Sequence, residues 1–136
     1  MTTVLFACVH NAGRSQMAAA WFNLLADPDH AHAISAGTQP GAHVHPEVVA
    51  VMQEVGVDLS GIQTTKLTED IAGEAAMLIT MGCGDECPVV PGVVRDDWPV
   101  EDPKGKPVDQ VREIRDQIRD RVRALIAREG WAAPGS

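Results

Sequence analysis

The chain has 136 residues, 45% hydrophobic and 22% charged, with a formal net charge of −8 at neutral pH. That length suits a single domain with one core, and the acidic balance argues against a nucleic-acid partner. No apolar run approaches the ~18 residues of a membrane span, and Met1-Thr2-Thr3 leads straight into an apolar stretch without a secretory leader. A soluble, cytoplasmic protein is expected. Three cysteines in such a protein point to redox, catalytic or metal chemistry rather than to a disulfide framework.

Val4, Leu5 and Phe6 read as a buried strand, and residues 16–25 as a helix dominated by strong helix formers. Between them runs Cys8-Val9-His10-Asn11-Ala12-Gly13-Arg14-Ser15, which must turn sharply from strand to helix. The amides of Val9, His10, Asn11, Ala12 and Gly13 are enough to wrap a tetrahedral oxyanion, and the helix start adds its partial positive charge. Gly13 permits tight backbone, and Arg14 supplies a planar fork for two oxygens of one anion. Cys8 sits at the floor of this cradle, where such surroundings favour the nucleophilic thiolate over the thiol. Ser15 is placed to donate its hydroxyl to that sulfur. A lone cysteine ending a core strand is usually a small buried residue. Here strand, arginine, hydroxyl and helix occur together, which points to catalysis. In so acidic a protein the anion must be held by local focusing at the loop.

Asp27-Pro28-Asp29 interrupts the helical pattern, and residues 31–36 offer a second strand before a loop marked by Gly37, Pro40 and Gly41. Residues 46–55 read as a helix with proline in its first turn, stopped at Gly56. Thr68 is positioned to cap a short helix ending near Gly73. Residues 75–81 are continuously apolar, the pattern of a strand buried on both faces, and 93–98 suit an edge strand. Residues 107–129 form a long amphipathic helix with Val111, Ile114, Ile118, Val122, Leu125 and Ile126 on one side. Residues 131–136 are expected to fray. Strands alternating with helices imply a single-domain α/β fold over residues 1–130, with a doubly wound parallel sheet. Cys8 and Cys83 would then follow the carboxyl ends of the first and third strands, where such sheets bind ligands.

Met81-Gly82-Cys83-Gly84-Asp85-Glu86-Cys87-Pro88 is the second informative stretch. A zinc site would need further ligands in a matching pair, which five scattered histidines do not supply, so no metal is expected. The glycines around Cys83 suit a thiol that travels during a reaction. Asp102, before Pro103, is either a solvated turn residue or a carboxylate projecting toward a neighbouring site. Asn11 tolerates left-handed backbone, and His10 is read as pointing away from the anion.

CVHNAGRSQMA resembles the phosphate loop of the low-molecular-weight protein tyrosine phosphatases, pattern C-x5-R-[ST], and especially of the arsenate reductases sharing that fold. The likeness continues through SAGT (35–38), GVDLSG (56–61), Cys83 and Cys87, and EDP (101–103). It implies a four-stranded parallel sheet and arsenate reduction, with phosphate as a competing anion. Cys8 would attack arsenic, Arg14 and the loop amides would hold the oxyanion, Asn11 would keep the loop's shape, and Asp102 would act as general acid. Cys83 and Cys87, separated by three residues, would relay oxidation to thioredoxin; in the rival route a low-molecular-weight thiol such as mycothiol or glutathione attacks the adduct and neither loop cysteine is needed. The resemblance calls for no cofactor, and Ala19 stands where some relatives carry a potassium-binding glutamate. Two rival readings use the same residues: a phosphatase, which the absence of tyrosine disfavours, and a thiol-based redox or metalloid-binding regulator.

Overall fold

The computed structural model describes residues 2–82 and 92–133. Its elements are β1 (Thr2–Cys8), α1 (Arg14–Leu25), β2 (Ala31–Gly37), α2 (Pro46–Gln53), α3 (Glu69–Glu74), β3 (Met77–Thr80), β4 (Val94–Asp97) and α4 (Val108–Glu129). The four strands form one sheet in the order β2-β1-β3-β4, and every adjacent pair is parallel. This is the doubly wound α/β architecture implied by the alternation of elements.

Both faces of β1 are covered, which is why its apolar run is continuous rather than alternating. Val4, Phe6 and Cys8 share a core cluster with Met17 and Phe22 of α1, Val48 and Met52 of α2, and Ile118 and Val122 of α4. Leu5 and Ala7 belong to a smaller cluster with Leu78 of β3 and Ala72 of α3. Ile118 and Val122 are fully buried, each side chain contributing about 1.5–3 kcal/mol of hydrophobic stabilisation.

Local chemistry sets the element ends. Pro46 opens α2, and Gly56, at φ +86°, follows its last turn. Thr68 caps α3 by accepting from the Ile71 amide at 3.2 Å. β3 is shorter than the apolar run 75–81 because Ala75 is still the C-cap of α3, its amide donating to the Ala72 carbonyl. The expected frayed tail is held over its first three residues. The Trp131 ring meets Phe22 edge-on at 5.9 Å, its carbonyl accepts from the Asp27 amide at 2.7 Å, and Ala132 forms a bridge with Ala26.

The chain winds from β1 to β2 on one side, then returns to β3 on the other. A crevice therefore opens at the carboxyl ends of β1 and β3, the usual ligand position in such sheets. Cys8 ends β1 there. Met81 and Gly82 follow β3 at the same edge, with the Met81 amide donating to the Ala7 carbonyl at 2.7 Å. Among the described residues, no helix is long and apolar enough to cross a membrane.

Candidate active site

Residues 9–13 connect the buried end of β1 to α1, and their shape is set from outside. The carbonyls of Cys8, Val9, His10 and Ala12 accept from the amides of Thr38, Gln39, Gly41 and His45, at 3.2, 2.7, 2.9 and 2.8 Å. With these carbonyls bonded to residues 38–45, the amides of His10, Ala12, Gly13 and Arg14 make no hydrogen bond to any described residue. They are a run of available donors at the start of α1, which has no side-chain cap and no acidic residue in its first turn. Backbone donors and a helix N-terminus together favour an anion.

Asn11 holds the loop from within. Its backbone is left-handed at φ 51°, a conformation Asn tolerates better than most side chains, and the residue is fully buried. Its Oδ1 accepts from the Thr65 amide at 2.8 Å and from Gln16 Nε2 at 3.1 Å. Its Nδ2 donates to Ser15 Oγ at 2.8 Å. Both explanations offered by the sequence, loop shape and backbone conformation, therefore apply at once. Gly37 packs directly beneath: a Cβ there would lie 2.6 Å from the Val9 oxygen and 2.7 Å from the Asn11 nitrogen. Any larger residue would push the loop out.

Cys8 is buried, a free cysteine whose Sγ is 2.9 Å from Ser15 Oγ and accepts from the Asn11 amide at 3.3 Å. A backbone donor and a neighbouring hydroxyl on one sulfur suit a thiolate. Arg14 is the first residue of α1, and its guanidinium is nine-tenths buried. Nη1 donates to the Val100 carbonyl at 3.1 Å, and Nη2 lies 3.8 Å from Asp102 Oδ2. Asp102 is half exposed and accepts from the Lys104 amide at 3.0 Å, so its carboxylate reaches the site from the loop after β4. His10 turns its Nδ1 to the Gln39 carbonyl at 3.0 Å, as befits a residue pointing away from the anion.

The structure thus brings Cys8, Arg14, Ser15 and Asp102 to the edge that the amide loop occupies. Cys83 and Cys87 lie outside the described residues. Sequence reasoning missed His45 and Pro103, which roof the loop: a Cβ on Gly13 would lie 2.9 Å from Pro103 Cγ and 3.5 Å from His45 Cδ2. Burial pushes the His45 imidazole below its usual pKa, against the opposing pull of Glu47 and Asp102. The uncharged form favoured there adds no cation of its own to the site. Its only advance signal was a place just before Pro46.

A buried cysteine beside a run of backbone amides, an arginine guanidinium and a hydroxyl thus sits at one edge of a doubly wound α/β sheet. Residues 3–130 match the low molecular weight phosphotyrosine protein phosphatase family, and the chain belongs to that family. It is similar to a putative arsenate reductase of Halobacterium salinarum, 42% identical over 122 residues covering 86% of this chain and 85% of the relative. It is also similar to a glutaredoxin arsenate reductase of Synechocystis, 35% identical over 94% of this chain and 98% of the relative. Among solved structures, a thioredoxin-dependent arsenate reductase of Corynebacterium glutamicum superposes with a TM-score of 0.79 at 39% identity, over 92% of this chain. The chain spans 60% of the length of that Corynebacterium protein.

Proposed function

We propose that this protein is an arsenate reductase, acting in arsenic detoxification through a cysteine–arsenic adduct on Cys8. The observation that carries the chemistry is the Cys8 sulfur, 2.9 Å from the Ser15 hydroxyl and beneath the amides of an anion loop. The relatives support arsenate over a phosphate ester as the substrate, since the curated and solved proteins named above are arsenate reductases. Arsenate and phosphate share a tetrahedral shape, so phosphate competes for the same donors.

In the proposed sequence the Arg14 guanidinium and the amides of His10, Ala12, Gly13 and Arg14 hold the oxyanion. The Cys8 thiolate attacks arsenic, forming an S–As bond, while Asp102 gives a proton to the departing oxygen, which leaves as water. A second thiolate then attacks the Cys8 sulfur. The S–As bond breaks, its electron pair stays on arsenic, As(V) becomes As(III), and arsenite departs from a disulfide on Cys8. Cys83 is proposed as that second thiol, with Cys87 attacking Cys83 in turn to return Cys8 to the thiolate. An external dithiol such as thioredoxin, or a small thiol such as mycothiol or glutathione, restores the starting state. We assign the protein to the cytoplasm, where such thiols are kept reduced.

Arsenate reduction and phosphate-ester hydrolysis assayed side by side test this reading. Arsenite release with a thiol donor, far exceeding ester hydrolysis, is expected. Hydrolysis without arsenite release would make the protein a phosphatase, and neither activity would favour a thiol regulator. For the relay, Cys87→Ser is expected to release one arsenite per enzyme and stall with Cys8 joined to Cys83. Multiple turnover in both Cys87→Ser and Cys83→Ser, with a small thiol on Cys8, would remove the internal relay.

A further inference from the structure

Several glycines of the described chain have left-handed backbones, which alone explains why glycine is favoured there. Gly56, Gly61, Gly92, Gly105 and Gly130 need no further reason, since a Cβ at each would meet nothing within 4 Å. Gly82, at φ +90°, differs: a Cβ there would run into Nη1 of Arg14 and lie 3.1 Å from Cζ and 3.4 Å from Nη2. The chain leaving β3 therefore crosses the guanidinium at backbone contact. That crossing is pinned one residue earlier by the Met81 amide on the Ala7 carbonyl, immediately before Cys8. Elsewhere the guanidinium meets the Val100 carbonyl through Nη1 and Asp102 through Nη2. The fork at the end of this long, rotatable side chain is thus confined by two segments distant in sequence, residue 82 and the loop carrying Val100 and Asp102.

We propose that Gly82 is a positioning residue for oxyanion recognition, its missing side chain leaving the Arg14 guanidinium in its place between Val100 and Asp102. The role rests on Arg14 being the oxyanion ligand of the proposed function. A methyl group at 82 displaces the fork, so two coplanar bonds to one anion are lost although the charge remains. The sequence shows only a glycine beside a cysteine. The structure adds the arginine, 68 positions earlier in the chain.

The test measures inorganic phosphate binding by calorimetry and thermal unfolding for wild type, Gly82→Ala, Gly56→Ala, Arg14→Ala and the Arg14→Ala/Gly82→Ala double variant. Gly56→Ala carries the cost of a left-handed alanine without any new contact. It is expected to lower the melting temperature and leave phosphate affinity unchanged. Gly82→Ala is expected to weaken phosphate binding at least tenfold and to destabilise more than Gly56→Ala, the excess disappearing once Arg14 is alanine. Undiminished phosphate affinity in Gly82→Ala overturns the proposal, as does a destabilisation of equal size with and without Arg14. Should Gly82→Ala fail to fold, the Arg14→Ala pair decides: a double variant as stable as Gly56→Ala relative to its parent supports the contact, and one that also fails to fold overturns it. A wild type that binds no phosphate would instead count against the proposed oxyanion site, while the stability cycle still reports on Gly82 and Arg14.

Discussion

Ser15 Oγ lies 2.9 Å from the Cys8 sulfur, and a backbone amide far along the chain leaves its hydroxyl proton available to that sulfur. The Thr65 N–H can only donate, so Asn11 Oδ1 must accept, and the other end of that amide must be the donor facing Ser15. With its oxygen accepting from Asn11 Nδ2, Ser15 has its own proton free for the sulfur. A donated proton stabilises sulfur in its anionic form, both when it attacks and when it leaves.

Asn11→Asp tests this relay with almost no change in shape. The carboxylate still accepts from Thr65 but has no proton for Ser15, whose hydroxyl then turns toward the carboxylate and away from Cys8. In a background lacking the two other thiols, alkylation of Cys8 at neutral pH is expected to slow, with its pH profile moved upward. Ser15→Ala, which removes a hydrogen bond to a charged group, is expected to lower turnover roughly 10–100-fold, about 1.5–3 kcal/mol. Wild-type alkylation profiles in both variants would show that the hydroxyl does not act on the sulfur.

Arg14→Lys keeps the charge and loses the fork. Catalytic efficiency with arsenate is expected to fall by at least tenfold, with phosphate inhibition weakened in parallel. Unchanged arsenate kinetics would remove Arg14 from oxyanion binding.

Asp102 is half exposed and its near partner, Arg14 Nη2, is 3.8 Å away, so the fold gains little from its charge. Asp102→Asn is therefore expected to leave the melting temperature within a degree or two while slowing turnover about 10²–10⁴-fold, the usual range for a proton donor. Equal rates across pH would return Asp102 to the status of a turn residue.

A pH dependence of stability should arise far from the site, where α2 meets α4. Arg112 clamps both carboxylate oxygens of Glu54, with Nε at 3.0 and 3.2 Å and Nη2 at 2.7 Å, and Arg115 adds a bond at 2.9 Å. Hydrogen bonding to Arg112, the largest influence, lowers the Glu54 pKa from 4.5 to about 2. A carboxyl whose folded pKa is depressed contributes stability above the unfolded value and loses it as pH falls through the folded one. The difference in melting temperature between wild type and Glu54→Gln should thus be full above pH 4.5 and shrink toward pH 2. A difference constant over that window would show that the pair is screened out.

The fold was legible because its signals are local. The continuous run of β1, the proline at the start of α2, the Thr68 cap and the six apolar positions of α4 each announce an element within a few residues. Two readings missed for the opposite reason. β3 is shorter than its apolar run because Ala75 belongs to a helix end, and Trp131 looks like a frayed tail until Phe22 and Asp27 are brought beside it. The same division holds at the candidate site. Cys8, Arg14 and Ser15 sit in one short stretch whose spacing carries the geometry. Gly37, His45, Gly82 and the Val100 carbonyl act on that stretch across distant sequence, and no periodicity connects them to it.

The central claim is that arsenic is reduced on the sulfur of Cys8. A single turnover with arsenate, followed by arsenite quantification and peptide mapping of the alkylated protein, tests it most directly. Wild type is expected to release one arsenite per enzyme and to end with Cys83 joined to Cys87. Cys87→Ser is expected to release one and stop with Cys8 joined to Cys83, and Cys8→Ser to release none, because an alcohol is un-ionised at neutral pH. Arsenite released by Cys8→Ser at the wild-type level, or a Cys87→Ser protein that releases arsenite with Cys8 never oxidised, would contradict the account.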